Sequence, residues 1–453
     1  MVTAQGRRTA DVAVQGGTIT AVEDQLPANA DAREIDARGM LVLPGVVDVH
    51  THTRQASDAE PDRFFQDSVA AAFGGTTTFL SFNNPGTGPA QCDRSLIDDI
   101  RRWRHATDSD SVVDYGVSLV LTADHVAAGA VDEIPAAVDA GVPTLKAFMV
   151  YDFGVPDATL LEALRATGAS GGLLEVHCEE RLPLESRTAD LLGAGKTEPR
   201  YHAESRPPFV EERGTQTAIT LAAQAEAPLY AVHLSCSAAL THVRAARDRG
   251  QPIYAETCPH YLTLDDSRYD LPPEDAARYV ISPPLRSPAD RDALWAGLTD
   301  GSLALVATDH VPDRASVEKQ TWRESFDRIS NGAPGIETLL TLVYSEGVAK
   351  GRISIERMVD VLSTTPARLF GLNGKGAIEV GRDADLVIFD PTERRTIHAR
   401  DLHHTSDYTP YEGLAVAGGV VSTLVRGQFV VRDGHFVGQR GFGQFQERRL
   451  AWR

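Results

Sequence analysis

The chain repeats one alternation eight times: a short, almost continuously apolar segment, then a stretch of helical length. The segments are GVVDVH (45–50), TTTFLSF (76–82), DYGVSLVLT (114–122), TLKAFMV (144–150), GLLEVHC (172–178), LYAVHLS (229–235), PIYAETC (252–258) and LALVATDH (303–310). Between them lie Ala-rich sequences such as GTQTAITLAAQAEA and SAALTHVRAARDRG. A strand that is apolar on both faces must be covered on both faces, and alternating helices do this for a parallel sheet. Eight such units predict a (β/α)8 TIM barrel. A doubly wound α/β sheet is the alternative, but the Gly-rich phosphate loop of its first crossover is missing.

The two ends of the chain read differently. DVAVQGGTITAVED and REIDARGMLVLPG near the start, and GAIEVGRDADLVIFD and VVSTLVRGQFVVRDG near the end, are short strands separated by turns, with a hairpin signal at Gly16–Gly17. They predict a flanking β-sandwich built from both termini, 1–43 with 376–453, beside a barrel over 44–375. A chain of 453 residues has room for both.

The net charge of −19 argues against a surface made for nucleic acid or anionic membrane. It does not exclude a small anionic substrate, for which local charge decides. The start MVTAQGRRTADVAV lacks a signal-peptide pattern, and no apolar run reaches the ~18 residues of a membrane helix. The four cysteines (Cys92, Cys178, Cys236 and Cys258) show no paired metal spacing and suit a reducing compartment. A soluble cytoplasmic protein is the expectation.

Chemistry enters at the C-terminal ends of the apolar segments. His50 and His52 end the first, Lys146 lies on the fourth, His177 on the fifth, His233 on the sixth and Asp309 on the eighth. In an extended strand, residues two apart point to the same side, so His50 and His52 aim at one place. In a barrel, all these ends meet at one mouth. Each residue alone has an ordinary explanation. Lys146 can snorkel from an apolar strand, and Asp309 can cap a loop. Five strand ends carrying ligand types at one relative position are better explained together, as a binuclear site for zinc or a similar divalent ion.

Lys146 fits that site only in altered form. Burial and neighbouring cations lower an amine pKa far below its reference of ~10.4. The neutral amine can add carbon dioxide and become a carbamate, whose two oxygens suit two metals. Ions ~3.5–4 Å apart can share a hydroxide at neutral pH.

Several segments carry a wider resemblance: GVVDVHTH, TLKAFMVYD, LLEVHCEE, YHAESRPP, APLYAVHLSC, PIYAETCPHYLTLDDSRYD, YVISPPLR, LVATDH, NGAPGIETLL and DYTPYEGLAVAGGVVSTLVRG. The chain resembles the amidohydrolase superfamily, within its hydantoinase/dihydropyrimidinase group of cyclic amidohydrolases, over nearly its whole length. The resemblance implies a barrel with a flanking sandwich, two zinc ions and an N6-carboxylated Lys146 as their bridge. It implies that His50, His52 and Asp309 hold the more buried ion, and that His177 and His233 hold the more exposed one. Asp309 would take a proton from the hydroxide and pass it to the leaving nitrogen. Tyr151 would donate to the developing oxyanion, and Ser282 and Asn331 would hold the cyclic amide through backbone groups. A homotetramer, or at least a homodimer, is also implied. The tail GQRGFGQFQERRLAWR, rich in aromatics and arginines, offers a candidate interface, with a frayed terminus as the ordinary alternative.

The chain departs from this pattern at Arg54. HTHTR resembles the H-x-H-x-R of dihydroorotases, whose arginine grips a substrate carboxylate, and Asn84 in SFNNPG lies near a second carboxylate-binding position of that branch. A guanidinium matches a carboxylate in bidentate fashion. It can equally pair with Asp58, Glu60 or Asp62 in the next loop. That loop, QASDAEPDRFFQDS, falls where hydantoinases carry a substrate gate, so Phe64 and Phe65 either line a pocket or begin the following helix. The expected function is zinc-dependent hydrolysis of a ring C–N bond in a hydantoin, dihydropyrimidine or related ring. Dihydroorotase or allantoinase activity is the nearest alternative. A non-catalytic dihydropyrimidinase-related assembly protein is the alternative of another class, opposed by the intact ligand set.

Overall fold

The computed structural model describes residues 1–27, 31–57, 60–83 and 95–451. Eight strands form its central sheet: β1 (Val46–Thr51), β2 (Thr76–Phe82), β3 (Asp114–Leu121), β4 (Thr144–Phe148), β5 (Leu173–His177), β6 (Leu229–Ala231), β7 (Ile253–Thr257) and β8 (Leu305–Val306). They neighbour one another in chain order, and every pair is parallel. A parallel bridge from Thr51 to His310 brings the first strand to the last and closes the barrel. The Asp48 carboxylate strengthens that seam by accepting from the Thr308 N–H at 3.1 Å and the Thr308 hydroxyl at 2.5 Å. Every strand residue is buried except the half-buried Tyr254. That explains the unbroken apolar runs: both faces are covered, one by the barrel interior and one by helices.

The helices set the strand ends. Helix Pro208–Ala225 turns Val210, Gly214, Ala218 and Ala222 inward at a spacing that keeps one face on the sheet. Gly214 permits close approach to the end of β5. A Cβ there would lie 2.6 Å from the carbonyl carbon of Cys178, next to His177. Helix Arg63–Phe73 begins within the expected gate loop. Phe64 on it is fully buried against Phe79, Trp103 and Tyr115, so it belongs to the core and not to a substrate pocket. Phe65 packs on Phe436 and under the Arg440 guanidinium.

A five-stranded antiparallel sheet joins the termini. Leu41–Pro44 forms one edge beside Leu386–Thr396, followed by Ala415–Val425, Gln428–Arg432 and His435–Phe436. The hairpin of Asp11–Gln15 and Thr18–Glu23 faces it, with Gly16 and Gly17 in the left-handed conformation at its turn. Ile19, Ile378, Ala384, Leu386, Ile388 and Leu424 form the apolar layer between. The last residues leave this unit. Gln444 and Gln446 exchange backbone hydrogen bonds with Tyr115 of β3, and Phe445 packs on Trp103 and Tyr115. Arg448 is 1% exposed and donates to Thr144 Oγ1 at 2.9 Å. Through Arg448, the tail thus packs on its own barrel, at the end opposite His50 and His177. Among the described residues, no helix is long and apolar enough to cross a membrane.

Candidate metal centre

β1 delivers His50, and the residue just past its end His52, to the C-terminal mouth, and the segment after β8 delivers Asp309 between them. Asp309 Oδ1 lies 3.1 Å from His50 Nε2 and 3.3 Å from His52 Nε2. One donor atom from each of the three residues falls within 4.8 Å of the other two. The far side of His50 is also defined. Its Nδ1 meets Glu256 Oε1 on β7, and Glu256 in turn accepts from Tyr230 Oη at 2.7 Å and from the His233 N–H at 3.2 Å. A carboxylate on one imidazole nitrogen leaves the other free to bind metal and fixes the ring's orientation.

β5 and the end of β6 deliver a second pair. His177 Nδ1 lies 3.0 Å from His233 Nε2, so two donor nitrogens face one point. His177 Nε2 meets Glu179 Oε2 at 2.7 Å, and Arg206 pairs with that carboxylate. Burial pushes the pKa of both imidazoles down, which keeps them neutral with a lone pair available. The two histidine pairs adjoin, with the His50 and His233 rings 5.4 Å apart. The His52 side chain is 19% exposed, whereas that of His177 is 2% exposed.

Lys146 reaches the same place from β4. Its Nζ is buried without a hydrogen-bond acceptor among the described residues, 4.7 Å from the Phe82 ring centre and 5.0 Å from that of Phe148. Burial lowers its pKa. An unsatisfied ammonium in such a place is costly, whereas a neutral amine is open to carboxylation. His50 reports the opposite demand. Burial and Lys146 push its pKa down, yet Glu256 and Asp309 offset them and raise it to about 9. The pocket therefore favours positive charge at His50, and a dication meets that demand without a proton. Burial also pushes the Asp309 carboxyl up, but His50 and His52 hold it well below the usual carboxylate range. The donor set fits divalent metal.

Three of these residues have unusual backbones. His233 (φ 39°), Asp309 (φ 49°) and Tyr151 (φ 71°) are in the left-handed region that side chains other than Gly rarely adopt. Such strain concentrates at functional sites, where it aims side chains that a regular strand would direct elsewhere. It also explains why the ladders of β6 and β8 stop short of the apolar segments read in the sequence.

The remaining candidates divide. Tyr151 packs its ring 5.5 Å from that of His177, and burial pushes its phenol pKa up. Ser282 is buried beside His202, 3.4 Å from its Nε2. Asn331 is half-buried, with its Oδ1 lacking a hydrogen-bond partner among the described residues. Arg54 pairs with Asp313 and with Glu318, the latter at 3.1 Å. Among the described residues, its partners lie beyond β8. Asn84, Asp58 and Cys92 lie outside the described residues. Sequence reasoning missed Glu256 and Glu179. The available signal was a carboxylate inside an otherwise apolar segment, YAETC, and one two residues after His177.

A family model described as Amidohydrolase family matches residues 41–430. A D-phenylhydantoinase of Escherichia coli O1:K1 / APEC is 40% identical over 453 residues, covering 99% of this chain and 96% of that protein. The crystal structure of dihydropyrimidinase from Brevibacillus agri NCHU1002 matches with a TM-score of 0.93 at 40% identity, over 100% of this chain and 98% of that one. An L-hydantoinase (dihydropyrimidinase) from Arthrobacter aurescens matches with a TM-score of 0.89 at 30% identity, over 99% and 98% of the two chains. The barrel, the ligand types at its mouth and these full-length similarities agree: the chain belongs to the amidohydrolase family, in the group of hydantoinases and dihydropyrimidinases.

Proposed function

We propose that the protein hydrolyses a ring C–N bond of a neutral cyclic ureide or imide, of hydantoin or dihydropyrimidine type. His50, His52, Lys146, His177, His233 and Asp309 would hold two zinc ions, with Lys146 carboxylated to bridge them. The carrying observation is the placement of Asp309 Oδ1 against both His50 Nε2 and His52 Nε2, at 3.1 and 3.3 Å. Metal bound there would polarise the ring carbonyl and activate water at neutral pH.

The chain's own residues supply the rest. Asp309, kept ionised by His50 and His52, can accept a proton from the attacking water at a carboxylate oxygen and deliver it to the leaving ring nitrogen. Tyr151 keeps its proton, because burial raises its pKa, and can donate it in a hydrogen bond to the carbonyl oxygen as charge develops there. The main chain at Ser282 and Asn331 would hold the ring amide. The pairing of Arg54 with two carboxylates supports a neutral ring over an anionic one, since its charge is already matched. We further propose a homodimer or homotetramer. A cytoplasmic setting agrees with the free, buried cysteines among the described residues, Cys178, Cys236 and Cys258.

The test is a steady-state comparison of dihydrouracil, hydantoin, dihydroorotate and allantoin with zinc-loaded protein. Ring opening of dihydrouracil or hydantoin is expected, with the highest kcat/KM. Turnover confined to dihydroorotate or allantoin would overturn the neutral-ring reading.

A further inference from the structure

Lys319 lies outside the metal set, and its amine is buried. It donates to three main-chain carbonyls: Val280 O at 2.9 Å, Ser330 O at 2.5 Å and Gly332 O at 2.6 Å. An ammonium has three donors and no acceptor, so its capacity is filled. The choice of partners is specific. Ser330 and Gly332 flank Asn331, and Val280 lies two residues before Ser282. One side chain therefore ties together the two segments that carry the proposed amide-binding main chain.

The tie extends toward the metals. Asp313 Oδ2 lies 3.9 Å from Lys319 Nζ, and Asp313 also pairs with Arg54, two residues after His52. Tyr408 adds a hydroxyl donor to Gly332 O at 3.2 Å. Burial lowers the Lys319 pKa to about 8, which leaves the amine mostly protonated at neutral pH.

We propose that Lys319 is a positioning residue for substrate. Its ammonium sets the spacing between the Ser282 and Asn331 main chains, and the Asp313–Arg54 link holds that pair in register with the end of β1 at His50 and His52. The inference rests on the proposed role of Ser282 and Asn331 in binding the ring amide. Recognition by main-chain groups cannot adjust through a rotamer change, so the segments must be held from behind. The affected contacts grip the ring in the ground and transition states alike, so their loss falls on KM more than on kcat.

Lys319→Met removes all three donors and keeps most of the apolar stem, and Lys319→Gln retains two donors. Both are compared with wild type for zinc content, KM and kcat on dihydrouracil or on the best neutral ring. For Lys319→Met we expect full zinc content, KM raised at least about tenfold and kcat within about threefold, with Lys319→Gln intermediate. A merely structural tie would lower thermal stability and leave the KM of the folded, metal-loaded fraction unchanged. A KM within about twofold of wild type, or a loss confined to kcat, overturns the proposal. If Lys319→Met does not accumulate as folded protein, Lys319→Gln decides by the same split, with a KM at least about threefold higher expected. Wild type that opens no cyclic amide would show separately that the underlying substrate reading fails, before any variant is made.

Discussion

Glu256 holds the Nδ1 of His50, which leaves His50 Nε2 facing Asp309 at 3.1 Å. The carboxylate thus selects which imidazole nitrogen is offered to metal. Glu256→Gln should weaken metal binding by about 10- to 100-fold, the usual effect of such outer partners. Competition with a chromogenic chelator reads this directly. Affinity equal to wild type would show that His50 is oriented by packing alone.

In the proposed mechanism, Asp309→Asn keeps a ligand oxygen but loses the base. Turnover should fall by about a hundredfold or more with metal still bound, the scale of general acid–base catalysis. The check is kcat measured beside metal content. Normal turnover in a fully metallated variant would place the proton transfer elsewhere.

Arg54 answers to its ion pairs. Arg54→Met leaves the buried Asp313 without its guanidinium, and unfolding free energy should drop by about 1–3 kcal/mol. The kcat/KM ratio of dihydrouracil to dihydroorotate should stay within about threefold. A contact made by Arg54 to a substrate carboxylate would instead move that ratio by about 10- to 100-fold.

His404 supplies a pH dependence away from the proposed metal centre. Burial, helped by His310, pushes its pKa down from 6.5 to about 4. Between those values the unfolded chain binds the proton and the folded chain does not, so stability is lost as pH falls through that window. His404→Leu removes this contribution. The slope of unfolding free energy against pH should flatten by up to one proton, about 1.4 kcal/mol per pH unit. Urea titrations of both proteins in chelator measure it, and parallel slopes would contradict it.

Much of the barrel was legible because burial on both faces forces continuous apolar runs, and β1–β5 lie where those runs do. The regular ladders of β6 and β8 are shorter than their runs. His233 and Asp309 turn into the left-handed region there, and no composition signal announces a backbone angle. The ligand types were legible by their shared position at strand ends. Their supports were harder to read. Glu256 matters because β7 lies beside β6 and only β8 separates it from the strand of His50, a fact of barrel closure and not of local sequence. Arg54 shows the same limit more sharply. Its partner Asp313 is 259 residues away, so reading along the chain offered only the neighbouring acids. Phe64 and the tail were ambiguous for a related reason. Aromatic composition alone does not tell a core from a pocket or an interface.

The central claim is that two metal ions at this mouth make the protein a ring-opening hydrolase. Titrating zinc into chelator-stripped protein while following dihydrouracil opening tests it most directly. Activity should be absent at the start and rise to a plateau at about two equivalents per chain. Full activity without metal, or a plateau at about one equivalent, would contradict the binuclear site.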